Sequence, residues 1–91
     1  MAHIQIKRSH TLDQQHIRQQ VQLLADKLAD ELGAQYEWQG ERLHFERSGA
    51  KGNILIGTGT VEVELKLGML LTPLKSKVER TITDYLDTHL V

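Results

Sequence analysis

Apolar and polar residues alternate along Thr60–Leu67: Val61, Val63, Leu65 and Leu67 against Thr60, Glu62, Glu64 and Lys66. Successive side chains of a strand point to opposite faces, so this stretch predicts a strand with one dry face and one wet face. The same alternation over residues 3–9 sets Ile4 and Ile6 against His3, Gln5 and Lys7. It predicts a first strand, placed either at a sheet edge or between later strands. Three further strands are predicted. One is Gln35–Gln39, with Tyr36 and Trp38 on one face; the second is Arg42–Arg47, with Leu43 and Phe45 inward. The third covers residues 53–56, with Ile54 and Ile56 inward. Gln39-Gly40, residues 48–52 and residues 57–59 supply turns, because glycine reaches positive φ without steric cost. Connections this short predict antiparallel neighbours.

The period then changes to that of a helix. Ile17, Val21, Leu24, Leu28 and Leu32 recur at spacings of three and four, a stripe widened by Leu23 and Ala25. Thr11 is the expected N-cap, with Gln14 completing a capping box and Asp13 suited to the positive end of the dipole. Gly33 is the expected C-terminal stop. Beyond Gly68, the apolar knot Met69, Leu70 and Leu71 precedes Thr72-Pro73, read as the cap and first residue of a second helix. Leu74, Val78, Ile82, Tyr85, Leu86 and Leu90 form its stripe. The element order β-α-β-β-β-β-α predicts an α+β domain spanning residues 1–91. An antiparallel sheet of about five strands carries two amphipathic helices on one face. The connectivity is that of a reduced helix-grip arrangement, an analogy of topology that carries no function.

Composition narrows the function classes. Ninety-one residues suit one small domain, and the formal net charge of −1 gives no overall drive toward nucleic acid. No cysteine is present, which excludes disulfides and thiolate chemistry. Residues 1–5 lack the apolar core of a secretion signal, and no apolar run nears the roughly 20 residues of a membrane span. A soluble cytoplasmic protein is the expectation. His3, His10, His16, His44 and His89 form no H-x-H or HExxH pattern, so no metal or other cofactor is expected. Glu62 and Glu64 share the wet face, where little would perturb them. Residues 48–53 carry glycines and a lysine but lead into a strand and lack the phosphate-loop spacing. With no nucleophile, base and oxyanion set in view, an enzyme is not expected.

Two features remain. Met69, Leu70 and Leu71 either close the open end of the core or form an exposed tip. Burial is the expectation, since most apolar residues at such junctions are buried. In the second helix, Lys75, Lys77 and Arg80 lie toward the N-terminus while Asp84 and Asp87 lie toward the C-terminus. That order opposes the macrodipole by a few tenths to about 1 kcal/mol per charge. Pairs Arg80–Asp84 and Lys75–Glu79 at i,i+4 are expected to offset part of it. The basic cluster is either an unoptimised solvated helix end or half of an amphipathic contact surface with the knot beside it.

The ordered set Ile4-x-Ile6-x-Arg8-x-His10-x-Leu12, Tyr36-x-Trp38-x-Gly40, Leu43-His44-Phe45-x-Arg47-Ser48-Gly49, Gly52, and Leu67-Gly68-x-Leu70-Leu71-x-x-Leu74-Lys75 resembles the small polyhydroxyalkanoic acid system proteins of bacteria. The resemblance covers nearly the whole chain. Its one departure is Glu41 after Gly40, where the family pattern often has Asp. The resemblance implies a role in bacterial polyester storage and supplies no enzymatic activity or catalytic residues. The expected function is that of a non-enzymatic accessory protein that binds the polyhydroxyalkanoate granule surface or a granule-associated protein. Met69, Leu70, Leu71, Lys75 and Lys77 are its expected contact. The alternative is a small apolar-ligand domain enclosing an acyl or hydroxyacyl chain. A homo-oligomer formed through a sheet edge or the knot is a further expectation.

Overall fold

The computed structural model describes residues 2–90; the ends of the expected 1–91 domain, Met1 and Val91, lie outside the described residues. Five strands, β1 Ala2–Ser9, β2 Gln35–Gln39, β3 Arg42–Arg47, β4 Ala50–Gly57 and β5 Thr60–Leu67, form one antiparallel sheet in the order β1-β5-β4-β3-β2. Two α-helices, α1 Gln14–Leu32 and α2 Lys75–His89, complete the α+β fold. β1 therefore takes an edge, paired with β5 along its whole length. β2 takes the other edge, so α1 carries the chain from one side of the sheet to the other.

Registers line up the apolar residues in rows across the strands. Ile6, Val63, Ile54, Leu43 and Trp38 make one row; Ile4, Leu65, Gly52, Phe45 and Tyr36 make the next. Gly52 leaves a gap in the second row, and its neighbour Leu65 fills it. A Cβ built at Gly52 would collide with a Leu65 methyl and lie 2.6 Å from the Glu64 carbonyl oxygen. Residues 50–52 are therefore strand, where the sequence reading placed a turn. Glycine there marks a close approach inside the sheet, while the turn itself is only Ser48-Gly49. The β2–β3 turn likewise shifts by one residue, to Gly40-Glu41, with Gly40 at φ 65°.

Both helices lie against the dry face. Ile17, Val21, Leu24, Ala25, Leu28 and Leu32 of α1, and Val78, Ile82, Tyr85 and Leu86 of α2, join the strand residues in one continuous buried cluster. Leu23 does not join it; at 52% exposed, it sits on the flank of the stripe. Asp13, not Thr11, is the N-cap of α1, and its carboxylate accepts from the His16 amide at 2.8 Å. Gly33 ends the helix at φ 64°, donating its N–H to the Ala29 carbonyl. Arg8 holds Asp87 at 2.9 Å, and the Tyr85 hydroxyl donates to Gln20 Oε1 at 2.9 Å. These bonds tie α2 to β1 and to α1.

Candidate functional site

β5 stops at Leu67 because Gly68 turns the chain into a 3₁₀ segment, Met69–Leu74. The turn is anchored to the β3–β4 hairpin: the Gly68 N–H donates to the Gly49 carbonyl at 2.6 Å, and Leu71 lies over Gly49. Three residues per 3₁₀ turn put positions i and i+3 on one side. Leu71 and Leu74 share that side and pack, half-buried, against the core. Met69 and Leu70 are left pointing away, 81% and 94% exposed. Burial of the knot, expected from the sequence, holds only in part for Leu71 and fails for the other two.

The start of α2 also differs from expectation. Pro73 lies inside the 3₁₀ segment, and Thr72 caps nothing; its hydroxyl donates back to the Gly68 carbonyl at 3.1 Å. The cap position belongs to Leu74, which offers no side-chain bond. The Lys75 N–H donates to the Thr72 carbonyl, so α2 continues the 3₁₀ segment, with Lys75 and Lys77 at its positive dipole end. Among the described residues neither lysine forms an ion pair, and the expected pairs Lys75–Glu79 and Arg80–Asp84 are both absent.

A second group of cations reaches the same end from the sheet. Lys51 on β4 and Lys66 on β5 are direct cross-strand partners on the wet face. Like charges so opposed are destabilising. Glu46 on β3 lies across from Lys51 on its other side, but neither it nor Glu64 forms an ion pair with a lysine. Glu64 turns to His3 at 3.8 Å and Glu46 to His44 at 3.8 Å, leaving both lysines without an ion pair among the described residues. A cleft of about 250 Å³ opens here, lined by Arg47, Lys51, Lys66, Leu67 and the Gly49 and Gly68 backbone. Arg47 itself is held by the fold. Its guanidinium donates to the Leu32 carbonyl at 2.6 Å, at the negative end of α1. Sequence reading missed Lys51 and Lys66 because the pairing depends on register. The one signal present was that each occupies a polar position beside a buried one.

Elsewhere several polar side chains are engaged locally, while Lys7, Lys27, Arg42 and Arg80 form no ion pair among the described residues. Arg18 stacks on Trp38 with its guanidinium carbon 4.0 Å from the ring centroid, and Trp38 donates to Gln22 Oε1 at 2.8 Å. The Asp26 carboxylate accepts from the Tyr36 hydroxyl and, with burial, raises its pKa. Burial raises that of Tyr85. His16 turns to Asp13, and His89 stacks on Tyr85 with centroids 4.0 Å apart. No group of three His, Asp or Glu side chains among the described residues is placed to hold a metal ion. No described helix is long and apolar enough to cross a membrane.

Searches of curated proteins and of solved structures each gave no match. A family model described as "Putative polyhydroxyalkanoic acid system protein" matches residues 4–90. That match takes in every strand and helix described above except the first two residues of β1, and the chain belongs to this polyhydroxyalkanoic acid system family.

Proposed function

We propose that the protein is a non-enzymatic, cytoplasmic accessory factor of polyhydroxyalkanoate storage, docking on the granule through its tip. The observation that carries this reading is Leu70, 94% exposed beside Met69 at 81%, in a chain whose other apolar side chains are mostly buried. A side chain left almost fully in water at this turn stabilises nothing in the monomer. It gains from burial only against a partner, about 2 kcal/mol for a leucine. Lys75 and Lys77 flank it, without carboxylate partners among the described residues, so a surface both apolar and anionic suits the tip best. The granule surface or a protein bound to it offers such a contact.

The acyl-binding alternative has less support. Phe45, the α2 stripe and the sheet residues make one continuous buried cluster, and Trp38 packs at its margin, stacked on Arg18. Co-sedimentation with native and protein-stripped granules tests the docking reading. Wild type is expected to sediment with granules, and Met69→Ser/Leu70→Ser to lose at least ten-fold in affinity, about 1.4 kcal/mol. Stability of the double variant should stay within roughly 0.5 kcal/mol of wild type, as for other exposed positions. Equal sedimentation of variant and wild type would remove the tip from the contact. Sedimentation with native granules alone would assign the contact to a resident protein.

A further inference from the structure

The basic pair on the sheet is not explained by the fold. Lys51 and Lys66 face each other across β4 and β5; Glu46 is Lys51's register partner on β3, but no carboxylate among the described residues forms an ion pair with either lysine. The pair borders a cleft of about 250 Å³ that also touches the Gly68 turn leading to Met69 and Leu70. The cleft floor includes Leu67, buried, and the main chain of Gly49 and Gly68. Lys75 and Lys77, in the first turn of α2, follow directly after the tip. The remaining flank belongs to the end of α1, whose last turn carries Asp30 and Glu31. Cations thus border the apolar turn from the sheet and from α2, while acids lie at the end of α1 and, as Glu46 across from Lys51, on the sheet.

We propose that this end of the molecule is a docking surface for an anionic lipid layer. Met69 and Leu70 enter the acyl region, and Lys51 and Lys66 hold a lipid phosphate in the cleft beside them. This rests on the reading of the tip as the granule contact and names the chemistry of the surface it meets. Charge complementarity carries the choice. A bare polyester would satisfy the two exposed apolar side chains and leave the opposed lysines uncompensated. A phosphodiester headgroup placed between them removes their repulsion and accepts hydrogen bonds from both ammonium groups. Lysine stems extend along apolar surface while their heads stay at the polar level, so the lysines and the apolar tip can be engaged at once. The acids of α1 give the contact an orientation, with the sheet and α2 turned toward the lipid.

Vesicle sedimentation of the full chain tests this. Wild type is expected on vesicles of phosphatidylglycerol mixed with phosphatidylcholine and not on phosphatidylcholine alone. A basic residue near an anionic surface contributes about five-fold in binding, the equivalent of about 1 kcal/mol. Lys51→Gln/Lys66→Gln should therefore lose roughly twenty-five-fold on the anionic vesicles. Its thermal midpoint should be nearly unchanged, because the repulsive Lys51–Lys66 pairing and the attractive Lys51–Glu46 pairing across the strands are lost together. Met69→Ser/Leu70→Ser should also lose binding to those vesicles. Equal wild-type binding to both vesicle types, or an unaffected lysine variant, would overturn the proposal. Sedimentation with stripped granules but not with anionic vesicles would overturn it and leave granule docking standing. Binding to native granules alone would overturn it in favour of an acidic protein partner. Binding to vesicles but to no granule preparation would uphold the lipid surface and remove the granule reading.

Discussion

Gly52 carries a sharp consequence at the scale of a single residue. It lies opposite Leu65 on β5 and Phe45 on β3, both buried, and its missing side chain is the space that Leu65 occupies. Gly52→Ala drives a methyl into the Leu65 side chain and to 2.6 Å from a main-chain oxygen, and the second contact cannot be relieved by a rotamer change. Overpacking of this kind costs about 1–3 kcal/mol, which urea unfolding should read as a lowered midpoint with an unchanged slope. Asp13 makes a different prediction, one of pH. The His16 amide, then the His16 ring, hold its carboxyl below the usual aspartate range. A carboxyl whose pKa is depressed on folding stabilises the fold above its unfolded pKa, about 3.9, and that contribution disappears as pH falls through the folded value. Asp13→Ala should thus lower the thermal midpoint at pH 7, and the gap from wild type should close as pH falls below about 4. A gap constant with pH would mean that the cap acts through something other than its charge.

Among the elements, the strand next to the site best shows what a sequence can and cannot specify. Alternation located β5 to the residue and the helix stripes located both faces that are buried, because burial on one side of a regular element leaves a periodic trace. Residues 50–52 left no such trace. A glycine with neighbours on both sides reads as a turn, and only the pairing with Leu65 shows that it is a strand with a close approach. The tip was half legible. Its apolar character is plain in Met69, Leu70 and Leu71, but exposure follows from the 3₁₀ geometry, which points Leu71 and Leu74 inward and turns the other two out. Leu23 shows the same limit in reverse: its spacing brings it to the margin of the α1 stripe, and the packing leaves it outside. The 3₁₀ segment itself makes a prediction. It has a main-chain anchor at Gly68–Gly49 but no buried residue of its own. Its amides should exchange with solvent far faster than those of β4 and β5, and lipid vesicles should slow them selectively. Protection spread evenly over the chain would disconnect the segment from binding.

For the whole molecule the governing quantity is charge, and here the total misleads. A formal net charge of −1 gives no long-range attraction toward an anionic surface, so association is not steered from a distance. Any electrostatic contribution arises within a Debye length, about 8 Å at physiological ionic strength, from Lys51, Lys66, Lys75 and Lys77 at one end. Salt screens that contribution and leaves the burial of Met69 and Leu70 in place, since apolar transfer does not depend on counterions. The two parts of the contact should therefore separate in a salt titration on stripped granules. Wild-type affinity is expected to fall as salt rises toward 1 M, where the Debye length is about 3 Å, and then to level off at a residual value. Lys51→Gln/Lys66→Gln should begin nearer that plateau and vary less with salt. Met69→Ser/Leu70→Ser should keep a slope and lose the plateau, because only the screened part of its contact remains. Parallel curves for the two variants would mean that the tip and the lysines do not act on one surface. Convergence of the lysine variant on wild type at high salt, with the tip variant left below both, is the outcome that an apolar turn flanked by unpaired cations requires.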